Sequence, residues 1–412
     1  MTSHGGRAVE RCRILVSAPF SEMEGGLFRF WLGDAYRKAL EQVRIWMEEA
    51  GMSVRIDAAG SIIGRYEALT PDAPALMTGS HLDTVRNGGA YDGILGVMLG
   101  IEMVAALNSD GIRMPFAIEV VGFGDEEGSR FPAPMLCSRT MAGQVDNVPS
   151  AIVDAQGKSI AQAMEDYGLD PALLKNAVRQ KGEILAFIEA HIEQGPCLEA
   201  EDGSLGVVSA IAAQTRQRVR IYGQADHAGT TPMTLRRDAL AAAAEVVSTV
   251  ERIGVASGEN HVATVGFLDV HPNVSNVIPG EVRFSLDMRA ETEAQRDRMV
   301  LQIQEEIRNI VARRGLKASF EQSHFLPSAA CTPEMVSQLE KAVSSVTGRP
   351  ASRLLSGAGH DAMAMVHLCP MAMLFIRSPG GLSHHPDEDV RVEDVELAHR
   401  ALLAFVKEFH LS

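Results

Sequence analysis

Five side chains, His81, Asp92, Glu127, His191 and His384, are nitrogen or oxygen donors of the kind that hold divalent cations, and each stands just past an apolar run. The densest stretch is Val121-Gly-Phe-Gly-Asp125-Glu126-Glu127-Gly128-Ser129-Arg130-Phe131, where three consecutive carboxylates follow two glycines. Adjacent carboxylates repel, and they stay ionised cheaply only when a cation or a shared proton compensates them. His81 and Asp83 are two apart, so both face the same way at a strand's end. A ligating imidazole needs its second N–H held by a carboxylate or carbonyl, and Asp83 stands where it can do this. Asp92 lies in Asn87-Gly-Gly-Ala-Tyr-Asp92-Gly93, whose glycines allow close backbone approach. His191 falls in Glu189-Ala-His191-Ile-Glu-Gln194-Gly-Pro196, and His384 in Gly380-Gly-Leu-Ser-His384-His-Pro386. Each alone is more ordinarily a solvated turn or a satisfied structural histidine. Together they suit two borderline divalent ions such as Zn or Mn.

Such residues need elements to hold them. Phe116–Val121 reads as a buried strand whose exit is marked by the two glycines. Ser61–Arg65, Pro74–Thr78, Ile184–Glu189 (ending at His191) and Met371–Ile376 read as further strands. Helical spacing covers Asp34–Ala50, with Leu40, Val43, Trp46 and Met47 on one face and Gly51 as the stop. Gly93–Leu107, Glu334–Val346 and Val392–Glu408 are helical as well. Open α/β sheets bind ligands outside the carboxyl ends of their strands, where these donors fall. Between about Thr215 and Gln322 the pattern becomes half-exposed strands and two amphipathic helices, with His261–Val270 as one strand. Its order, β-α-β-β-α-β, is that of a ferredoxin-like insert. The expected class is α/β, a central twisted mixed sheet flanked by helices, carrying an inserted α+β domain.

A chain of 412 residues is long for one core, so two domains are expected. Its 53 Asp and Glu against 38 Lys and Arg give a net charge of −15, which offers no positive field to nucleic acid or an anionic membrane. Cys12, Cys137, Cys197, Cys331 and Cys369 are scattered, which argues against a disulfide framework and for a reducing cytoplasm. Cys197, near His191, reads as a packing thiol. The N-terminus lacks the apolar core of a signal peptide. Gly93–Leu107 is too short to span a bilayer and contains Glu102.

The motifs GSHLDTV, GGAYDGILGV, EEGSRF, HIEQGP, DHAGTTPM, NVIPG and SGAGHDA, spread from about residue 20 to the C-terminus, complete the picture. The chain resembles the M20 metallopeptidase family, in its allantoate amidohydrolase and N-carbamoyl-L-amino-acid hydrolase group. The resemblance implies a dinuclear centre in which Asp92 bridges, with His81 and His191 on one ion and Glu127 and His384 on the other. It implies Glu126 as general base, Asp83 as the residue orienting His81, and His227 as a histidine lent by the smaller domain, often from a partner subunit. Arg216, Asn276 and Arg289 match positions that hold a substrate carboxylate, and Gln194 and His360 match others lining the cleft. Residues 214–328 match a lid and dimerisation domain, with 1–213 and 329–412 forming the catalytic domain, so a homodimer is expected.

The group's substrates carry a carboxylate and a ureido group. Allantoate comes first, because Phe375-Ile-Arg377-Ser-Pro-Gly-Gly381 departs from the group's common pattern toward that of ureide-degrading members. N-carbamoyl-L-amino acids come second, then ureidoglycolate or β-ureidopropionate. Asp125 stands where Glu is usual, at a position that is not a ligand in the pattern. A non-catalytic scaffold is disfavoured because every ligand and Glu126 is present. A dipeptidase or aminopeptidase is disfavoured by EEGSRF and HIEQGP.

Overall fold

The computed structural model describes residues 3–411, and the chain packs as two compact units. One runs as far as Ser209 and resumes at Ala330; the other is Ala210–Ala329. The strands in chain order begin with β1 (Ser53–Ile56), β2 (Ile62–Tyr66), β3 (Ala75–His81), β4 (Ala117–Phe123), β5 (Ile184–Ile192) and β6 (Leu205–Ile211). Next come β7 (Ala213–Tyr222), β8 (Asp226–His227), β9 (His261–Thr264), β10 (Leu268–His271), β11 (Val277–Ile278), β12 (Glu281–Ala290) and β13 (Lys317–Leu326). They close with β14 (Ala329–Ala330), β15 (Ser352–Ser356) and β16 (Met371–Ile376).

The first unit is built on a sheet of order β1-β2-β4-β3-β5-β16-β6-β14, with β15 beside β6. Its middle, β4-β3-β5-β16, is parallel, and β2 and β6 flank it antiparallel. Every residue of β3, β4 and β16 is buried, as strands covered on both faces must be. The helix Ile94–Ser109 packs against β3 and against the helices His4–Ile14 and Val392–Glu408, while Asp34–Glu49 covers β1 and β2. This is the mixed α/β sheet flanked by helices that the sequence predicts. Because the four central strands are parallel, their carboxyl ends open on one edge. His81 closes β3, the acidic triplet follows β4, His191 is the penultimate residue of β5, and His384 follows β16.

Three strand ends differ from expectation. β3 runs past Thr78 to His81 because its pairing with β4 continues as far as Phe123. β4 runs through Gly122 to Phe123 because Gly122 is paired on both sides, with Ile62 and with Ser80. β5 continues past Glu189 to Ile192 because β16 pairs with it as far as Ile376. In each case a ladder overrides the local signal.

The second unit is an antiparallel sheet of order β10-β12-β7-β13, with β9 also paired to β12. Helices Ala239–Ser257 and Glu293–Arg313 cover one face. Val219, Ile221, Phe284 and Leu286 meet Val246, Val250, Ile303 and Ile307 in the core between them. Both helices are capped: Asp238 accepts from the amides of Leu240 and Ala241, and Thr292 with Gln295 forms a capping box. The single strand expected over His261–Val270 is two short ones. β9 lies opposite Asp287–Ala290 and β10 opposite Glu281–Phe284, and the chain leaves the regular ladder between them at 265–267.

Candidate metal centre

Asp92 is the hub of the first unit's open edge. It is 4% exposed, and its two oxygens face two different sets of donors. Oδ1 lies 3.2 Å from Nε2 of His191 and 3.8 Å from Nε2 of His81. Oδ2 lies 3.2 Å from Nε2 of His384, and that same nitrogen is 3.6 Å from Oε1 of Glu127. The ligand atoms of His81, Asp92 and His191 come within 4.8 Å of one another, as do those of Asp92, Glu127 and His384. Gly93 makes this closeness possible: at φ +70°, a Cβ there would fall 2.4 Å from the His81 ring.

The electrostatics call for cations. Burial opposes charge on Asp92, but the close imidazoles of His191, His384 and His81 hold it well below the usual carboxylate range. Burial also opposes a charged His191, yet Asp92 and Glu189 outweigh it and raise the imidazole to about 9. His384 rises to about 9 chiefly through its bond to Asp92, whereas burial pushes His81 down to about 4. Burial and Asp92 lift Glu127 to about 8, and burial with Glu127 and Asp361 lifts Glu126 well above its ordinary value. Nε2 of His191 is buried and makes no hydrogen bond although Asp92 is near. A buried imidazole nitrogen in that state, opposite a split carboxylate, fits divalent cations on either side of Asp92.

Around the donors, Asp83 holds His81 through its carbonyl and not its carboxylate. Nδ1 of His81 bonds the main-chain oxygen of Asp83 at 3.0 Å, while the nearer carboxylate oxygen stays 3.6 Å away. The Asp83 carboxylate instead accepts the amides of Glu126 and Glu127, each at 3.1 Å, and so shapes the acidic loop. Arg377 turns away from the donors and grips Asp394 on helix Val392–Glu408 at 2.8 and 2.9 Å. It therefore anchors the root of the His384 loop and touches none of the donors. Cys197 is exposed at the start of the short helix Cys197–Ala200, so it is not a packing thiol.

Gln194 and His360 do reach the centre. Nε2 of Gln194 donates to Asp92 Oδ2 at 3.0 Å, and the His360 ring lies 4.5 Å from the His191 ring with its Nε2 on Ser356 Oγ. Arg29 carries no periodic or motif signal, yet it is fully buried and donates to the carbonyls of Leu82, Leu15 and Phe20, fixing the chain that leaves β3.

The other expected residues belong to the second unit. Arg216 and Arg289 flank Asp287, which accepts from Arg216 Nε at 2.8 Å and from Arg289 Nε and Nη2 at 2.8 and 2.9 Å. Asp287 is a partner that the sequence reading missed, although it stands two residues before Arg289 and opposite Arg216 in the ladder. His227, on β8, is exposed and pairs across to Val277, next to Asn276.

Residues 77–408 match the model of peptidase family M20/M25/M40. The N-carbamoyl-L-amino acid amidohydrolase of Geobacillus stearothermophilus is 40% identical over 378 residues, 92% of each chain. Allantoate deiminase 1 of Glycine max is 36% identical over 417 residues, 94% of this chain and 86% of that one. A crystal structure of a hydantoinase/carbamoylase family amidase from Burkholderia multivorans superposes with a TM-score of 0.89 at 34% identity, covering 98% of both chains. The chain belongs to the M20 peptidase family and, within it, to the amidohydrolases of the hydantoinase/carbamoylase group.

Proposed function

We propose that this protein is a metal-dependent amidohydrolase that cleaves a ureido C–N bond in a small carboxylate-bearing substrate, allantoate first. The observation that carries the reading is the split of Asp92 between two donor sets, the group of His81 and His191 and the group of Glu127 and His384; Glu126 is in neither, although its carboxylate also stands within donor reach of His81 and Glu127. Two divalent ions, Zn or Mn, held by His81, Asp92, His191, Glu127 and His384, would supply Lewis acidity and a water of lowered pKa. Glu126, partly buried and 3.9 Å from the His81 ring nitrogen, takes the proton of the attacking water and returns it to the leaving nitrogen. Asp83 holds the backbone of that loop in place. The loss of ammonia and carbon dioxide from allantoate leaves ureidoglycine.

The resemblance assigns substrate contacts to Gln194 and His360 in the first unit and to Arg216, Asn276 and Arg289 in the second. A guanidinium reads a carboxylate through two parallel hydrogen bonds, which an ammonium does not. Asp287 holds both arginines in fixed orientation. His227 serves the developing oxyanion. The same proposal makes residues 214–328 a lid and the interface of a homodimer, consistent with Val255 and Val262, which are 79% and 52% exposed on that unit.

A second reading, hydrolysis of N-carbamoyl-L-amino acids, is favoured by the 40% identity to such an enzyme. Ammonia release after Mn loading, measured on allantoate, N-carbamoyl-L-amino acids, ureidoglycolate, β-ureidopropionate and dipeptides, separates the readings. Turnover of a ureido carboxylate is expected. Hydrolysis confined to dipeptides overturns the proposal.

A further inference from the structure

We propose that Glu388 is a positioning residue of the metal centre, clamping the loop that carries Asp92 to the loop that carries His384. The inference rests on the reading of those two residues as ligands. Glu388 is 4% exposed and stands four residues after His384, with its amide donating to the His385 carbonyl at 3.0 Å in a tight turn. Its position in space therefore fixes that of His384.

Both oxygens of the side chain reach across to the other loop. Oε1 accepts the amides of Tyr91 at 2.9 Å and Asp92 at 3.1 Å, two donors just ahead of helix Ile94–Ser109. Oε2 lies 3.0 Å from Ser383 Oγ, and that hydroxyl is also 3.3 Å from Asp92 Oδ2. One hydroxyl proton thus sits between two carboxylates and ties the clamp to the oxygen that faces His384. The glycine loop is shaped to this carboxylate: a Cβ on Gly89 would fall 2.2 Å from Glu388 Cδ. Glu388 belongs to none of the donor groups found among the described residues, and its oxygens are spent on amides and a hydroxyl. It acts through Asp92 and His384.

Buried carboxylates that orient ligands of a metal change affinity about 10- to 100-fold when removed. The test is competition for Mn between a chromophoric chelator and the wild type, Glu388→Ala, Glu388→Gln and Glu388→Asp proteins, with no substrate present. Glu388→Ala should weaken at least one ion by about tenfold or more. Glu388→Gln keeps an oxygen for the two amides and lets Ser383 accept, so it should recover most of the affinity. Glu388→Asp, one methylene short of the amides, should bind weakly, and it decides the matter if the alanine variant does not fold. Wild-type affinity in the alanine or aspartate variant, or a glutamine variant no better than alanine, overturns the inference. If the wild type itself binds no ion, the underlying metal reading fails instead, so the two failures are distinguishable.

Discussion

In the proposed reaction Glu126 is the side chain on which the chemistry turns. It neighbours Glu127 in sequence and His81 in space, and its backbone is pinned by Asp83. Glu126→Gln keeps the shape and removes the basicity. The variant should retain the metal content of the wild type while turnover falls by at least about 10²-fold, the scale of a lost general base. Near-normal turnover with full metal content would remove Glu126 from the mechanism. The donors were legible in the sequence because their chemical types are scarce and each sits at a strand's end. Arg29 and Ser383 were not, since they act through carbonyls and carboxylates distant in the chain. Asp83 shows a subtler limit. Its place was readable, but whether the carbonyl or the carboxylate would meet His81 depends on where the acidic loop lies.

At the scale of elements, helix Ile94–Ser109 begins two residues after Asp92 and is buried nearly all round, so whatever seats it also seats the hub. Its one charged residue, Glu102, is buried and meets His4, Arg7 and Arg11 of the first helix at 2.7, 2.7 and 2.8 Å. Glu102→Ala should cost about 3 kcal/mol, the lower end for breaking a buried ion pair because the cations keep some access to water. Denaturant unfolding measures this loss; an unchanged midpoint would mean that the three contacts contribute little. Helices with one apolar face, such as Asp34–Glu49 and Val392–Glu408, were the most legible elements, since that period is intrinsic to the segment; the polar His4–Ile14 was not predicted. Strand ends were less so: partners on both sides carry Gly122 into β4, and β12 takes up β9 and β10 as separate pieces. Arg377 pairs with Asp394, a contact that only the packed helix creates and that no local pattern announces.

For the whole molecule, the proposal of a dimer with His227 acting in trans predicts complementation. Inactive His227→Ala and Glu126→Gln chains, mixed and allowed to exchange, should recover about a quarter of wild-type activity, since half the dimers are mixed and each has one intact site. Silence despite verified exchange excludes the trans role. Among the described residues no helix is long and apolar enough to cross a membrane, and the net charge of −15 gives no general attraction for polyanions. In the proposed function a small anionic substrate is held by local groups such as Arg216 and Arg289 around Asp287. The two-metal proposal is tested most directly by titration of Mn into chelator-stripped protein while ammonia release from allantoate and an N-carbamoyl-L-amino acid is followed. No turnover is expected in the stripped protein, and a rise that saturates at about two ions per chain, one for each side of Asp92. Full turnover without metal, or saturation at a single ion, would contradict the proposal.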